Sequence, residues 1–251
     1  GHGTNLLVSD EGVRGLVLRL SKESFGQLRR EGNRLHVGAG HSLPGLVKWS
    51  TLQGLTGLEC LQGVPGTVGA ALRMNAGGKH GEICSSVRRV CGFERDGTPF
   101  DYSPEQCGFV YRNSQMGGKI ITECELELRE GDAVQSRLMM SEILKEKCRT
   151  QPVYARSAGC VFKNPRREGV PPAGRMIDEL GLKGLRVGGA SVSTVHANFL
   201  ICEGEASSAN LAELIRQIRR RVLDERGIAL ELEVETWGFA PEEFSATTCV
   251  A

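Results

Sequence analysis

The 251-residue chain sets 31 Lys and Arg against 30 Asp and Glu, a formal charge of +1, which leaves no electrostatic case for nucleic acid or an anionic membrane as partner. Its 40% hydrophobic residues can fill the core of one large domain or two small ones. No apolar run reaches the ~18 residues of a spanning helix. In chain order, residues 5–8 read as a short apolar strand, with further strands at 17–20 and 34–37. Ser42 caps a helix reaching about Gln53, with Leu46, Val47 and Leu52 inward. Residues 86–94 and 98–102 flank the hairpin signal Asp96-Gly97. A strand at 119–128 follows, and Asp132 then caps a helix expected to reach Cys148 before Pro152. A domain boundary is placed near Gly131. Residues 173–180 form a short helix ending at Gly181, and 197–202 a strand. The clearest helix spans 207–227, with Leu211, Leu214, Ile215, Ile218 and Val222 at helical spacing opposite Arg216, Arg219 and Arg220. Residues 228–236 alternate, with Ile228, Leu230, Leu232 and Val234 on one face and Glu231, Glu233 and Glu235 on the other. From Pro241 the chain reads as a loose tail.

Nine Cys are present and no two form a C-x-x-C pair, which argues against zinc ribbons and thioredoxin-type sites. They read as reduced, buried small hydrophobes of a cytoplasmic protein, and no metal is expected. The 33 Gly, close to twice the usual share, mark tight turns or backbone that approaches a ligand closely.

Four stretches carry chemistry. Gly1-His2-Gly3-Thr4-Asn5 leads into a strand, and its bare backbone can close around an anion. A plain turn satisfies the same spacing. Gly63-Val64-Pro65-Gly66-Thr67-Val68-Gly69-Ala70-Ala71 is a turn opening a helix at Thr67, followed by Met74-Asn75-Ala76-Gly77-Gly78. Small residues there let another surface lie against the helix, which suits a pyrophosphate or flat ring; two such segments favour a nucleotide. Tyr111-Arg112-Asn113-Ser114 offers a planar guanidinium for a carboxylate, or an ordinary surface Arg. Ser157-Ala158-Gly159-Cys160-Val161-Phe162-Lys163-Asn164-Pro165 either aims one thiol into a cleft or buries it as packing.

Taken in order, these blocks resemble the UDP-N-acetylenolpyruvoylglucosamine reductase (MurB) family. Gln151-Pro152, Gly181-Leu182-Lys183-Gly184, His196-Ala197-Asn198-Phe199 and Leu230-Glu231-Leu232-Glu233-Val234 extend the likeness over nearly the whole chain. The short stretch 114–160 places it with the compact branch that lacks an extra substrate-binding insertion. The resemblance implies an α+β protein. An FAD-binding domain of the vanillyl-alcohol-oxidase (PCMH) type would cover 1–131, and a smaller C-terminal α/β substrate domain 132–251. Gly1, Gly3, Thr4, Asn5, Val64, Pro65, Gly66, Thr67 and Gly69 would hold FAD, with NADPH as hydride donor. The small-molecule substrate would be the enolpyruvyl ether of UDP-N-acetylglucosamine, held by Tyr111, Arg112 and Asn164, on the route to peptidoglycan. Arg112, Cys160 and Glu233 would be catalytic, although periodicity alone does not choose among Glu231, Glu233 and Glu235. The sequence departs from the family twice. Cys160 stands where the family carries Ser. The family's opening segment ahead of the first Gly motif is absent, so a fragment or a truncated form of lowered FAD affinity is expected. An oxidase of the same fold and a non-catalytic UDP-sugar binder are the rival readings, separable by oxygen uptake and by failure to take up FAD.

Overall fold

A computed structural model describes residues 1–244, in two compact units. The first comprises Gly1–His2 and Val17–Lys147; the second comprises Gly3–Leu16 and Cys148–Ala251, described to Phe244.

The first unit is framed by a five-stranded antiparallel sheet. Its strand order is Leu28–Glu31, Arg34–Gly38, Ile120–Glu127, Val87–Phe93, Pro99–Tyr102. Leu35 pairs with Leu126 and Val37 with Cys124, and all four are buried, as a period of two requires. A register shift between Val87 and Arg89 is a bulge that turns both Val87 and Val90 to the buried face. The hairpin forms at Asp96-Gly97, where Asp96 Oδ1 accepts from Thr98 N at 2.9 Å. Residues 17–20, expected as a strand, pair with no strand among the described residues, and Val17 and Leu18 are exposed.

Helix Leu43–Leu52 starts at Ser42, whose hydroxyl accepts from Gly45 N. Leu43, Leu46 and Val47 enter the core, but Leu52, expected inward, is 57% exposed. Helical spacing gives the inward places to Ser50 and Thr51 instead, whose hydroxyls donate to Val47 O at 3.0 and 3.1 Å.

Helix Ala133–Thr150 opens at Asp132 as predicted, with Oδ1 accepting from Val134 N at 2.6 Å. Several side chains tie it to the first unit, Ser136 and Lys147 among them. Ser136 Oγ donates to Glu59 Oε1 at 2.5 Å, and Lys147 Nζ donates to Gln62 O at 2.6 Å. The helix therefore packs with the first unit, which runs to Lys147.

The second unit pairs Leu6–Val8 in parallel with Glu235–Trp237. A three-stranded antiparallel sheet of Arg186–Val187, Ala190–Val192 and Leu200–Cys202 shares its core with helices Ala173–Glu179 and Ser208–Arg226. Ser207 and Asn210 form a capping box at the start of the long helix, and left-handed Gly227 ends it. Its apolar stripe is as predicted, with Leu214, Ile215, Ile218 and Val222 buried. Arg216 pairs with Glu213 and Arg220 with Asp224.

Residues 228–236 are not one strand. Leu232 makes a single bridge to Phe162, and only Glu235 onward is regular. The alternation in burial still holds, because Leu230 and Val234 are buried while Glu231 and Glu235 are exposed. Pro241–Phe244 forms a 3₁₀ turn rather than a loose tail, and Phe244 packs edge-on against Phe239. The expected tail beyond it, with Cys249, lies outside the described residues. The other eight cysteines form no disulfide. No described helix is long and apolar enough to cross a membrane.

Candidate active site

In the first unit, residues 110–113 make a tight turn. Val110 N donates to Asn113 O at 3.0 Å, and Asn113 N donates to Val110 O at 3.1 Å. Arg112 takes the third position with φ +55°, a place that ordinarily favours glycine. Its side chain is only 14% exposed. Nη2 donates to Gly77 O at 2.8 Å, Nη1 lies 3.8 Å from Glu82, and the guanidinium stands 5.0 Å from the centre of the Tyr111 ring. Arg73 and Ser114 hold the turn from behind, through Asn113 Oδ1 at 3.1 Å and Arg73 O at 2.7 Å. Lys147 is a half-buried neighbour; burial, then the charge of Arg112, lowers its pKa. The sequence singled out Tyr111 and Arg112 but gave no role to Asn75, Glu82 or Lys147. The visible signal was Asn75 inside a run of small residues.

The two glycine-rich segments differ in what occupies their backbone. Gly66 has φ +107°, a conformation closed to most side chains. Thr67 is buried and heads helix Val68–Arg73 without capping it by its hydroxyl. A side chain on Gly1 would stand 3.1 Å from Ala70 Cβ, so bare backbone lies beside the first turn of that helix. Such a cradle fits the phosphate or ring edge of a flavin dinucleotide. Gly69 is accounted for otherwise: a Cβ there would meet Ala39 Cβ at 2.7 Å. Val68 N and Gly69 N donate to His41 O and Ala39 O, so one surface against this turn is the chain's own. Val64 packs on the core and Pro65 is exposed.

In the second unit, Gly3 and Thr4 turn the chain into Leu6–Val8, with Leu6 N donating to Gly3 O. Asn5 Nδ2 donates to Glu233 O at 3.0 Å, and Glu235 N donates to Asn5 O at 2.9 Å. The first glycine motif thus anchors the segment that bears Glu233. Glu233 N donates to Val161 O at 2.8 Å, which places Glu233 beside the loop of Cys160. Glu233 is half-buried where Glu231 and Glu235 are exposed, a distinction periodicity could not make. Cys160 is half-buried and bridges Phe199. Asn198, 3% exposed, fixes this loop: its Oδ1 accepts from Phe162 N at 2.9 Å and its Nδ2 donates to Phe162 O at 2.7 Å. Asn164 is exposed, and its Oδ1 accepts from Ala173 N at the start of helix Ala173–Glu179. A largely apolar cavity of about 210 Å³ lies in the same unit, lined by Gly3, Leu7, Ser157, Val161, Cys202 and Ile215 among others.

Known proteins share this architecture. Residues 151–237 match the C-terminal domain of UDP-N-acetylenolpyruvoylglucosamine reductase, and residues 1–101 match an FAD binding domain. The α+β order expected from the sequence is the order of these segments. UDP-N-acetylenolpyruvoylglucosamine reductase 2 of Symbiobacterium thermophilum is 42% identical over 96% of this chain and 78% of its own length. The reductase of Thermus thermophilus is 41% identical over 94% of this chain and 84% of its own. The crystal structure of the enzyme from Thermus caldophilus superposes with a TM-score of 0.82 at 42% identity, covering 94% of this chain and 84% of that one.

Proposed function

The chain belongs to the UDP-N-acetylenolpyruvoylglucosamine reductase family, and from that premise we propose that it reduces the enolpyruvyl ether of UDP-N-acetylglucosamine to UDP-N-acetylmuramate. The setting is cytoplasmic synthesis of peptidoglycan precursors. Bound FAD supplies the hydride chemistry, from NADPH to C3 of the enolpyruvyl group. Gly1, Gly3, Thr4, Asn5, Val64, Pro65, Gly66, Thr67 and Gly69 are the residues assigned to hold it. FAD binding is assigned to 1–131 and substrate binding to 132–251; helix Ala133–Thr150 braces the first of these.

The observation that carries the reading is Arg112, kept in a left-handed conformation with its guanidinium largely enclosed. A fork fixed in this way suits a planar carboxylate and the negative charge that spreads onto it as hydride adds at C3. Tyr111 supports the fork from one face. Cys160 Sγ gives its proton to C2, which completes the saturated lactyl ether. Glu233, in its protonated form, donates a hydrogen bond that stabilises the negative charge before the proton quenches it. Asn164 holds substrate through its side-chain amide.

Arg112→Lys keeps the charge and loses the fork. Flavin reduction by NADPH should be near normal in this variant, because that half-reaction involves no enolpyruvyl carboxylate. Reoxidation by substrate should slow about 100-fold, the scale of one lost transition-state contact. Equal slowing of both steps, measured by stopped flow, would contradict the assignment.

A further inference from the structure

We propose that Asn75 is a positioning residue of this reaction: its side-chain amide fixes both the turn and the counterion that aim Arg112. The inference rests on the reading of Arg112 as the group that meets the substrate carboxylate. Asn75 is 1% exposed and holds φ +45°, directly after helix Val68–Arg73. Its Nδ2 donates to Val110 O at 3.0 Å and to Glu82 Oε2 at 2.8 Å, and its Oδ1 accepts from Cys84 N at 3.3 Å. Both amide hydrogens are therefore used. One goes to the first residue of the turn that carries Arg112. The other goes to the carboxylate whose second oxygen lies 3.8 Å from Arg112 Nη1.

This second bond decides what Glu82 can do. A carboxylate beside a guanidinium tends to close into a bidentate pair. Held by Asn75 at Oε2, Glu82 stands off from the fork at 3.8 Å, outside a bidentate pair. A buried amide at this point is also costly unless every hydrogen is paired, so the three bonds over-determine its geometry. Asn75 thus ties the backbone under Arg112 and the charge beside it to one rigid group.

Asn75→Asp tests this. At neutral pH the new carboxylate has no donor for Val110 O and repels Glu82, which frees Glu82 toward Arg112. The charged and titratable groups around the pair are Arg112, Lys147, Arg73 and the Cys84 thiol. Acidification places one proton between the two carboxyls and restores a hydrogen bond. The readout is calorimetric titration with enolpyruvyl UDP-N-acetylglucosamine and with UDP-N-acetylglucosamine, which lacks the carboxylate. We expect the variant's preference for the carboxylate-bearing ligand to fall about 10–100-fold, the scale of an ångström-sized misplacement. Affinity for UDP-N-acetylglucosamine should be unchanged, and part of the preference should return at mildly acidic pH, because the shared proton replaces only the bond to Glu82. Asn75→Gly keeps the backbone angle and deletes the amide; it should lose the preference at every pH. A preference that survives in both folded variants overturns the inference. A loss that includes UDP-N-acetylglucosamine and ignores pH overturns it too, because that marks general damage. Absence of the preference in the unmodified protein would sink the functional reading itself.

Discussion

Arg112 occupies a turn position where a side chain costs roughly 1–2 kcal/mol of backbone strain, and its neighbours on Gly77 and Glu82 keep it there. Spacing alone gave no reason to prefer it over any surface Arg; the family resemblance did. Cys160 is a similar case, since a thiol between small residues also reads as packing. A thiol with an ordinary pKa of about 8.5 is a far stronger acid than a hydroxyl and still holds its proton near neutral pH. Burial pushes the thiols of Cys60 and Cys107 up to about 11, and raises those of Cys84, Cys91, Cys124 and Cys202. These six should react slowly with an alkylating reagent, whereas Cys148 is exposed. Inactivation by such a reagent should therefore rise with pH through Cys160 and vanish in Cys160→Ser, which should retain activity. Cys160→Ala should still be reduced by NADPH while turnover falls about 10²–10⁴-fold. Near-normal turnover in Cys160→Ala would leave Cys160 as packing.

Elements that carry their own punctuation were legible in the sequence. Helix Ser208–Arg226 has its capping box, its stripe and its glycine stop within one stretch, and the hairpin has Asp96-Gly97. The readings that failed did so for separate physical reasons. Residues 17–20 have a strand's composition but no partner among the described residues, and backbone without a ladder does not become a strand. Leu52 lost its inward place to Ser50 and Thr51, whose hydroxyls are satisfied within their own helix. Glu59 and Ser136, 77 residues apart, hold helix Ala133–Thr150 on the first unit. Burial raises the pKa of Glu59, but hydrogen bonds from Ser136 and Gly57 outweigh it and hold the carboxyl below its ordinary range. A depressed folded pKa stabilises above the unfolded value and is lost as pH falls through the folded one. Glu59→Gln should then cost about 1–3 kcal/mol near neutral pH and flatten the acid side of the stability curve. Urea titrations across pH check this; an unchanged acid limb would contradict the role of Glu59.

For the whole molecule, the proposed reading gives each unit its own part of the chemistry. The first holds Arg112 on a strained turn and, at Gly1, bare backbone against helix Val68–Arg73; the second holds Cys160 and Glu233 on segments joined by the Val161–Glu233 backbone bond. The order of the two, an FAD-binding segment and then a reductase segment, was readable only as an ordered set of motifs, because each motif alone also fits a plain turn or a buried Cys. The most direct test supplies the purified chain with FAD, NADPH deuterated at the transferred position and enolpyruvyl UDP-N-acetylglucosamine, without oxygen, and analyses the product by mass spectrometry and NMR. The account predicts UDP-N-acetylmuramate in step with NADPH consumed, with deuterium at C3 and a solvent proton at C2. NADPH consumption without that product, or unchanged substrate with FAD fully bound, would contradict it.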